Sequence, residues 1–222
     1  MIYILVFTHI YSPFKLFFHI LLHGMGQNAS SWNETISFLP NTSEIVCPEL
    51  SDFFSEGNCY YSKMYTAFCD YCNNFSEPLN LCGLSLGAVL ALNYAIDYPR
   101  RVKSLILIAP QYDMPKFLLK VQNVLFKSMP ESQFKDIGLT KKDFITLTNS
   151  MADMDFTSGL EKVSCPVLVL CGEKDNVNKK AAVKVAEKLS KAKFSTIENS
   201  GHEVNIDNPN GLAKAMKELY II

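Results

Sequence analysis

Residues 83–87 read Gly83-Leu84-Ser85-Leu86-Gly87, a serine framed by two glycines. An apolar run precedes it and a helix-like run follows. A sharp strand-to-helix turn of this kind strains the serine backbone and exposes its hydroxyl at the sheet edge. A serine hydroxyl is a weak nucleophile at neutral pH and needs a base. The chain has four histidines: His9, His19, His23 and His202. His9 and His19 fall in apolar runs, and His23 opens the turn His23-Gly24-Met25-Gly26. His202 follows Asn199-Ser200-Gly201 after the last apolar run, which makes it the candidate general base. The imidazole in turn needs a carboxylate to fix its tautomer. Asp175 closes Gly172-Glu173-Lys174-Asp175 after the run 166–171 and is the candidate acid. Asp207 competes, but it lies beside Pro209, where electrostatics at the start of the final helix account for it. The order Ser85, Asp175, His202 is the one that accompanies such an elbow. Acyl transfer also needs donors for a developing oxyanion. The amides of Leu86 and Met25 are the candidates, the latter because glycines on both sides let backbone approach a substrate oxygen.

The elements that must position these residues follow from the hydrophobic pattern. Strands are predicted at 1–10, 14–22, 44–48, 79–82, 102–109, 166–171 and 194–197. Helices are predicted at 32–39, 60–75, 88–98, 179–190 and 210–220. The run 102–109 (VKSLILIA) is continuously apolar, as a parallel strand covered on both faces must be. Alternating strands and helices imply an α/β layer fold with a mostly parallel sheet. The alternation breaks over 111–160, where apolar residues recur at helical spacing and a second helix is predicted at 141–150. The expected organisation is a core of 1–110 and 161–222 with a helical cap over 111–160. Trp32, Phe117, Leu118, Val121 and Phe126 are candidates to line an acyl pocket, with plain packing of the cap onto the core as the competing reading.

These motifs carry a resemblance. His23-Gly24-Met25-Gly26 with Asn28 and Trp32, the Ser85 elbow, Gly172-Glu173-Lys174-Asp175 and Gly201-His202 together resemble the α/β-hydrolase superfamily over nearly the whole chain. The stretch HGMGQNASSW is similar to the corresponding turn of the pimeloyl-ester carboxylesterases. The stretch GLSLGAVLALNYAIDYPRRVKSLILIAP is similar to small bacterial esterases and C–C hydrolases. Two departures are Ala88, where a further glycine is common, and Asn178, where a proline often follows the acid. The resemblance implies a metal-free serine hydrolase without a cofactor, an acyl-enzyme intermediate and a lid. The expected substrate is a small or medium acyl ester. A C–C bond hydrolase or lyase, or a non-enzymatic ligand binder, are the rival uses of the scaffold.

Composition bounds the rest. The chain has 222 residues, 48% hydrophobic and 19% charged, with 21 Lys+Arg against 22 Asp+Glu. That balance argues against a nucleic-acid partner, and the length suits one domain, as monomer or homodimer. The apolar 1–22 region lacks a basic start and a cleavage site. His9, Ser12, Pro13, Lys15 and His19 interrupt it, so two strands are expected there rather than a membrane anchor. Seven cysteines without framework spacing suggest buried thiols in a reducing cytoplasm. Cys69-x-x-Cys72 reads as helix interior, and the sequons at Asn28, Asn33 and Asn41 carry no weight without a leader.

Overall fold

The computed structural model describes residues 17–40, 44–54, 59–114 and 140–219, and between them 116, 119, 124, 127–131 and 134. The strand expected over 1–10 lies outside the described residues. The described strands are β1 (His19–Leu22), β2 (Ile45–Val46), β3 (Leu79–Leu84), β4 (Val102–Ile108), β5 (Val167–Gly172) and β6 (Ala192–Ile197). The described helices include α1 (Asn33–Ser37), α2 (Tyr61–Cys72), α3 (Leu86–Asp97), α4 (Lys141–Ser150), α5 (Asn176–Lys188), α6 (Val204–Asp207) and α7 (Pro209–Leu219).

The strands form one sheet in the order β2-β1-β3-β4-β5-β6. Every pairing between them is parallel. Parallel neighbours require crossovers, and the helices supply them, so both faces are covered. Side chains alternate between the faces with period two. Ile20 and Leu22, Leu79 and Leu81, Leu105 and Leu107, and Val167 and Val169 point into a core shared with α2, α3 and α5. Leu21, Cys82, Leu84, Ile106, Ile108 and Leu170 point the other way, against Trp32 and the Leu212, Ala213 and Met216 stripe of α7. Each such side chain, fully buried, contributes about 1.5–3 kcal/mol of transfer free energy.

α3 starts directly after Ser85 and is apolar almost all round. It is buried from Leu86 to Leu92, which fits a central helix packed on β3 and β4. Of the 111–160 stretch, the structure shows α4 and an antiparallel bridge between Asp113 and Asp155. α4 carries a capping box in which Thr140 and Asp143 bond reciprocally to each other's backbone N–H. Cys69 and Cys72 both lie on α2, and all seven cysteines are free thiols. Burial pushes the Cys72 thiol up to about 12, as expected of an inert packing residue. Among the described residues, no helix is long and apolar enough to cross a membrane.

Candidate active site

β3 ends at Leu84 and α3 begins at Leu86, leaving Ser85 alone to make the turn. It does so in the left-handed region, at φ 54° and ψ −111°, a strained conformation for a residue with a Cβ. The Ser85 N–H donates to the Ile108 carbonyl of β4 at 2.9 Å, and its carbonyl accepts from Val89 N at 3.0 Å. The turn closes only because its flanks are glycine. A Cβ on Gly83 would stand 2.2 Å from the Gly87 carbonyl oxygen, and one on Gly87 would stand 2.3 Å from that of Leu22. The sequence motif is thus explained by backbone crowding between the elbow, β1 and its own helix.

Asp175 lies past the C-terminal end of β5 and is nearly buried, at 6% exposure. It is also the N-cap of α5, its Oδ1 accepting from Asn178 N at 3.2 Å. That cap starts the helix three residues before the predicted 179. His202 sits on the loop after β6, and its Nδ1 donates to Asp175 Oδ2 at 2.8 Å. With its proton on Nδ1, the ring keeps a lone pair on Nε2. Burial pushes the Asp175 carboxyl up. The bonds from His202 and Asn178 outweigh it and hold the carboxyl below its ordinary value.

His202 and Ser85 line one cavity of about 290 Å³ at the carboxyl end of the strands. Met25 and Leu86 line it as well, so both candidate oxyanion amides belong to residues at the same cavity. Leu86 is the first residue of α3, where an N–H has no carbonyl of its own helix to bond. Met25 stands in a four-residue turn closed by Gln27 N donating to the Gly24 carbonyl at 3.2 Å. Gly26 takes the left-handed corner of that turn at φ 89°. The walls are apolar at Val89, Met114, Leu119 and Met151, and polar at Gln111, Thr148 and Asn178.

The other described histidines are placed elsewhere. His23 is 4% exposed and both its ring nitrogens are engaged. Its Nδ1 donates to the Gly24 carbonyl at 2.9 Å, and its Nε2 accepts from Leu50 N at 3.1 Å. Burial lowers its pKa against the opposing pull of Gly24 and Glu49. His19 lies on β1 beside Asn80, and burial, with help from Lys103, lowers it to about 4. His9 falls outside the described residues. Asp207 does not begin the final helix. It ends α6, and its Oδ2 accepts from Gly201 N at 2.7 Å, bracing the His202 loop from behind.

Of the residues expected to line an acyl pocket, Phe117, Leu118, Val121 and Phe126 lie outside the described residues. Trp32 is corrected. It is fully buried in the cluster on the opposite side of the sheet, against α7, and does not line the cavity. The short helical turn Ala29–Trp32 leads its ring into that layer, where a large flat side chain fills the gap between sheet and helix.

Three polar residues of the cavity, Gln111, Thr148 and Asn178, are not expected there from the sequence. Asn178 donates from Nδ2 to both carboxylate oxygens of Asp175, at 2.9 Å each. Gln111 donates from Nε2 to Asn178 Oδ1 at 2.9 Å. A polar side chain three residues after the acid, on the first turn of a helix the acid caps, is the signal that could have found Asn178. Gln111 is brought there by the end of β4 and has no local signal. Among the described residues, no group of three or more His, Cys, Asp or Glu side chains is placed to hold a metal ion.

Residues 20–215 match the model of the alpha/beta hydrolase family. The monoacylglycerol lipase abhd6-B of Xenopus laevis is 23% identical over 90% of this chain and 74% of its own length. Among solved structures, a thermophilic esterase from Thermogutta terrifontis is similar at a TM-score of 0.73 and 21% identity, covering 92% of this chain and 89% of the esterase. The enol-lactonase from Burkholderia xenovorans LB400 is similar at a TM-score of 0.78 and 14% identity, covering 93% and 92%.

Proposed function

This chain belongs to the alpha/beta hydrolase family, and from that premise we propose that it is a serine hydrolase that cleaves carboxylic esters of small or medium acyl groups. The observation that carries the reading is the Asp175–His202 contact of 2.8 Å at a cavity that also holds a serine on a left-handed turn. In this reading Ser85 Oγ attacks the ester carbonyl carbon while His202 Nε2 takes its proton. The carbonyl oxygen becomes an oxyanion held by the Leu86 and Met25 amides. The C–O bond then breaks, and His202 gives its proton to the departing alkoxide. A water, deprotonated by His202, attacks the acyl-serine and releases the acid as Ser85 regains its proton. Asp175 stays ionised throughout and holds the imidazole.

Two further features support the substrate class. The volume of about 290 Å³ is at the lower edge of ligand cavities, which span about 300–1,000 Å³. Its apolar walls suit an acyl chain, with Met114, Leu119 and Met151 supplied by the 111–160 stretch acting as a lid. The names of the similar proteins, a monoacylglycerol lipase, an esterase and an enol-lactonase, belong to ester chemistry. Seven free thiols favour a reducing, cytoplasmic setting. The test is turnover of p-nitrophenyl esters of increasing acyl length, with labelling by a fluorophosphonate. Ser85→Ala is expected to lower kcat by about 10³-fold to 10⁶-fold, with the melting temperature unchanged and the label lost. Wild-type turnover in that variant would remove Ser85 from the chemistry.

A further inference from the structure

Two loops far apart in sequence must hold a fixed relation for this site to work. One is the turn that carries Met25, and the other carries His202. The structure joins them through one pair of amide side chains. Gln27 Nε2 donates to Asn205 Oδ1 at 3.1 Å, and Asn205 Nδ2 donates back to Gln27 Oε1 at 3.2 Å. The partners are 178 positions apart. Gln27 is 8% exposed and Asn205 is fully buried.

Gln27 also bonds to both loops, and Asn205 to the helical turn Ala29–Trp32 and to α1. Gln27 Oε1 accepts from Gly24 N at 3.3 Å, which ties the amide to the turn around Met25. Gln27 Nε2 donates to Glu203 Oε1 at 3.2 Å, on the residue next to His202. Asn205 Nδ2 donates to the Ser31 carbonyl at 3.0 Å, and its own backbone carbonyl accepts from Thr35 Oγ1 at 3.4 Å. All four polar side-chain atoms of the pair are therefore engaged. An apolar pair would fill the same space without a desolvation cost. What a closed ring of hydrogen bonds adds is a set distance and orientation between the two segments.

We propose that Gln27 and Asn205 are positioning residues. They hold the amide-bearing turn in register with the His202 loop, so that the oxyanion donors and the base meet one substrate together. The inference rests on the serine-hydrolase reading above, since it presumes that Met25 and His202 serve the same reaction. Neither residue lines the cavity that holds Ser85 and His202; Gln27 lines a smaller one beside it, which shares Met25 and Leu86.

The test separates position from stability. Single loss of one amide strands its partner in a buried site. The informative protein is therefore Gln27→Leu/Asn205→Leu, where both partners become apolar together and the groups that lose a partner are the Gly24 N–H, the Glu203 carboxylate and the Ser31 carbonyl. Gln27→Met, which keeps length but strands the Asn205 amide, is the second variant, read only per folded molecule. Activity is read as kcat and KM per folded molecule, the folded fraction being taken from thermal melts, with the rate of fluorophosphonate labelling alongside. The double variant and Gln27→Met are expected to lose about 10-fold to 100-fold in kcat, the scale of a misplacement near 1 Å, with KM within about threefold. The swap Gln27→Asn/Asn205→Gln rebuilds an amide pair of the same total length and is expected to recover most of the loss. A kcat per folded molecule at the wild-type level in either apolar variant overturns the inference. If Ser85→Ala retains turnover, the fault lies in the hydrolase reading instead. Wild-type kcat in the apolar variants with an inert Ser85→Ala protein defeats the positioning role alone.

Discussion

Gly172 closes β5 just before the acid, and the chain returns past it immediately before His202. A Cβ built on Gly172 would lie 1.8 Å from the Gly201 carbonyl oxygen and 2.6 Å from that of Ser200. Both obstacles are backbone, so no side chain can swing aside. Contacts under 3.0 Å essentially do not occur, so in Gly172→Ala the Gly201 carbonyl must retreat by the difference, about 1.2 Å at the least. The retreat pulls against two short bonds, Lys174 N to the Ser200 carbonyl at 2.8 Å and Glu173 N to the Ile197 carbonyl at 2.9 Å. Overpacking of this kind costs about 1–3 kcal/mol, and in a chain of this length each kcal/mol lowers the melting temperature by about 2–4 °C. A fall of about 2–12 °C is therefore expected. The catalytic loss should be larger than that stability loss implies. The displaced carbonyl belongs to the residue before His202, and a shift near 1 Å at a reacting group costs about 10²-fold. Scanning calorimetry and ester turnover measured well below the melting temperature test both parts. A Gly172→Ala protein with wild-type melting and wild-type kcat would show that the His202 loop does not rest on β5, and the spatial reasoning behind the site would fall with it.

Asn178→Leu removes two hydrogen bonds to the Asp175 carboxylate while keeping the side-chain bulk. Bonds to a charged group are worth about 1.5–3 kcal/mol each; loss of one bond's worth of that support in the transition state lowers kcat by about 10-fold to 100-fold, and steady-state kinetics showing no drop would demote Asn178 to lining. Stability should fall on mild acidification. His19 and His23 have folded pKa values below the ordinary 6.5, so the unfolded chain binds more protons below that pH. Their contribution is complete above 6.5 and is lost as pH falls, for His19 over the window down to about 4. Discounted for the partial exposure of His19, its share at pH 5 is about 1–2 kcal/mol. Urea midpoints at pH 7.5 and pH 5 check it, and a His19→Gln variant with an undiminished pH slope would contradict the assignment.

The parts of the site that announce themselves in the sequence are those whose physics is local. The elbow is legible because backbone crowding at Gly83 and Gly87 admits only glycine there. Asp175 and His202 are legible because each follows an apolar strand, and a parallel sheet brings all its strand ends to one edge. Continuous apolar runs at β4 and β5 gave the sheet, and the alternation gave the layers. Trp32 misled because a tryptophan near a glycine turn has no pattern that says which face of the sheet it will enter. That face is set by α7, nearly two hundred residues on. Gln27, Asn205 and Gln111 were invisible for the same reason. Their meaning lies in partners brought together by strand order, and the apolar period puts the start of α5 at 179 because it does not register the cap at Asp175.

Asp175 serves both as the partner of His202 and as the N-cap of α5. Suppose a duplicate of this chain were released from selection for turnover. Its aspartate would persist, because the helix beneath it would still need an oxygen at that corner. Ser85 would go early under the proposed reading, since a left-handed backbone with a Cβ is a burden that glycine would relieve. In such a lineage the surviving carboxylate would say nothing about activity, and the residue at the elbow would be the one to inspect.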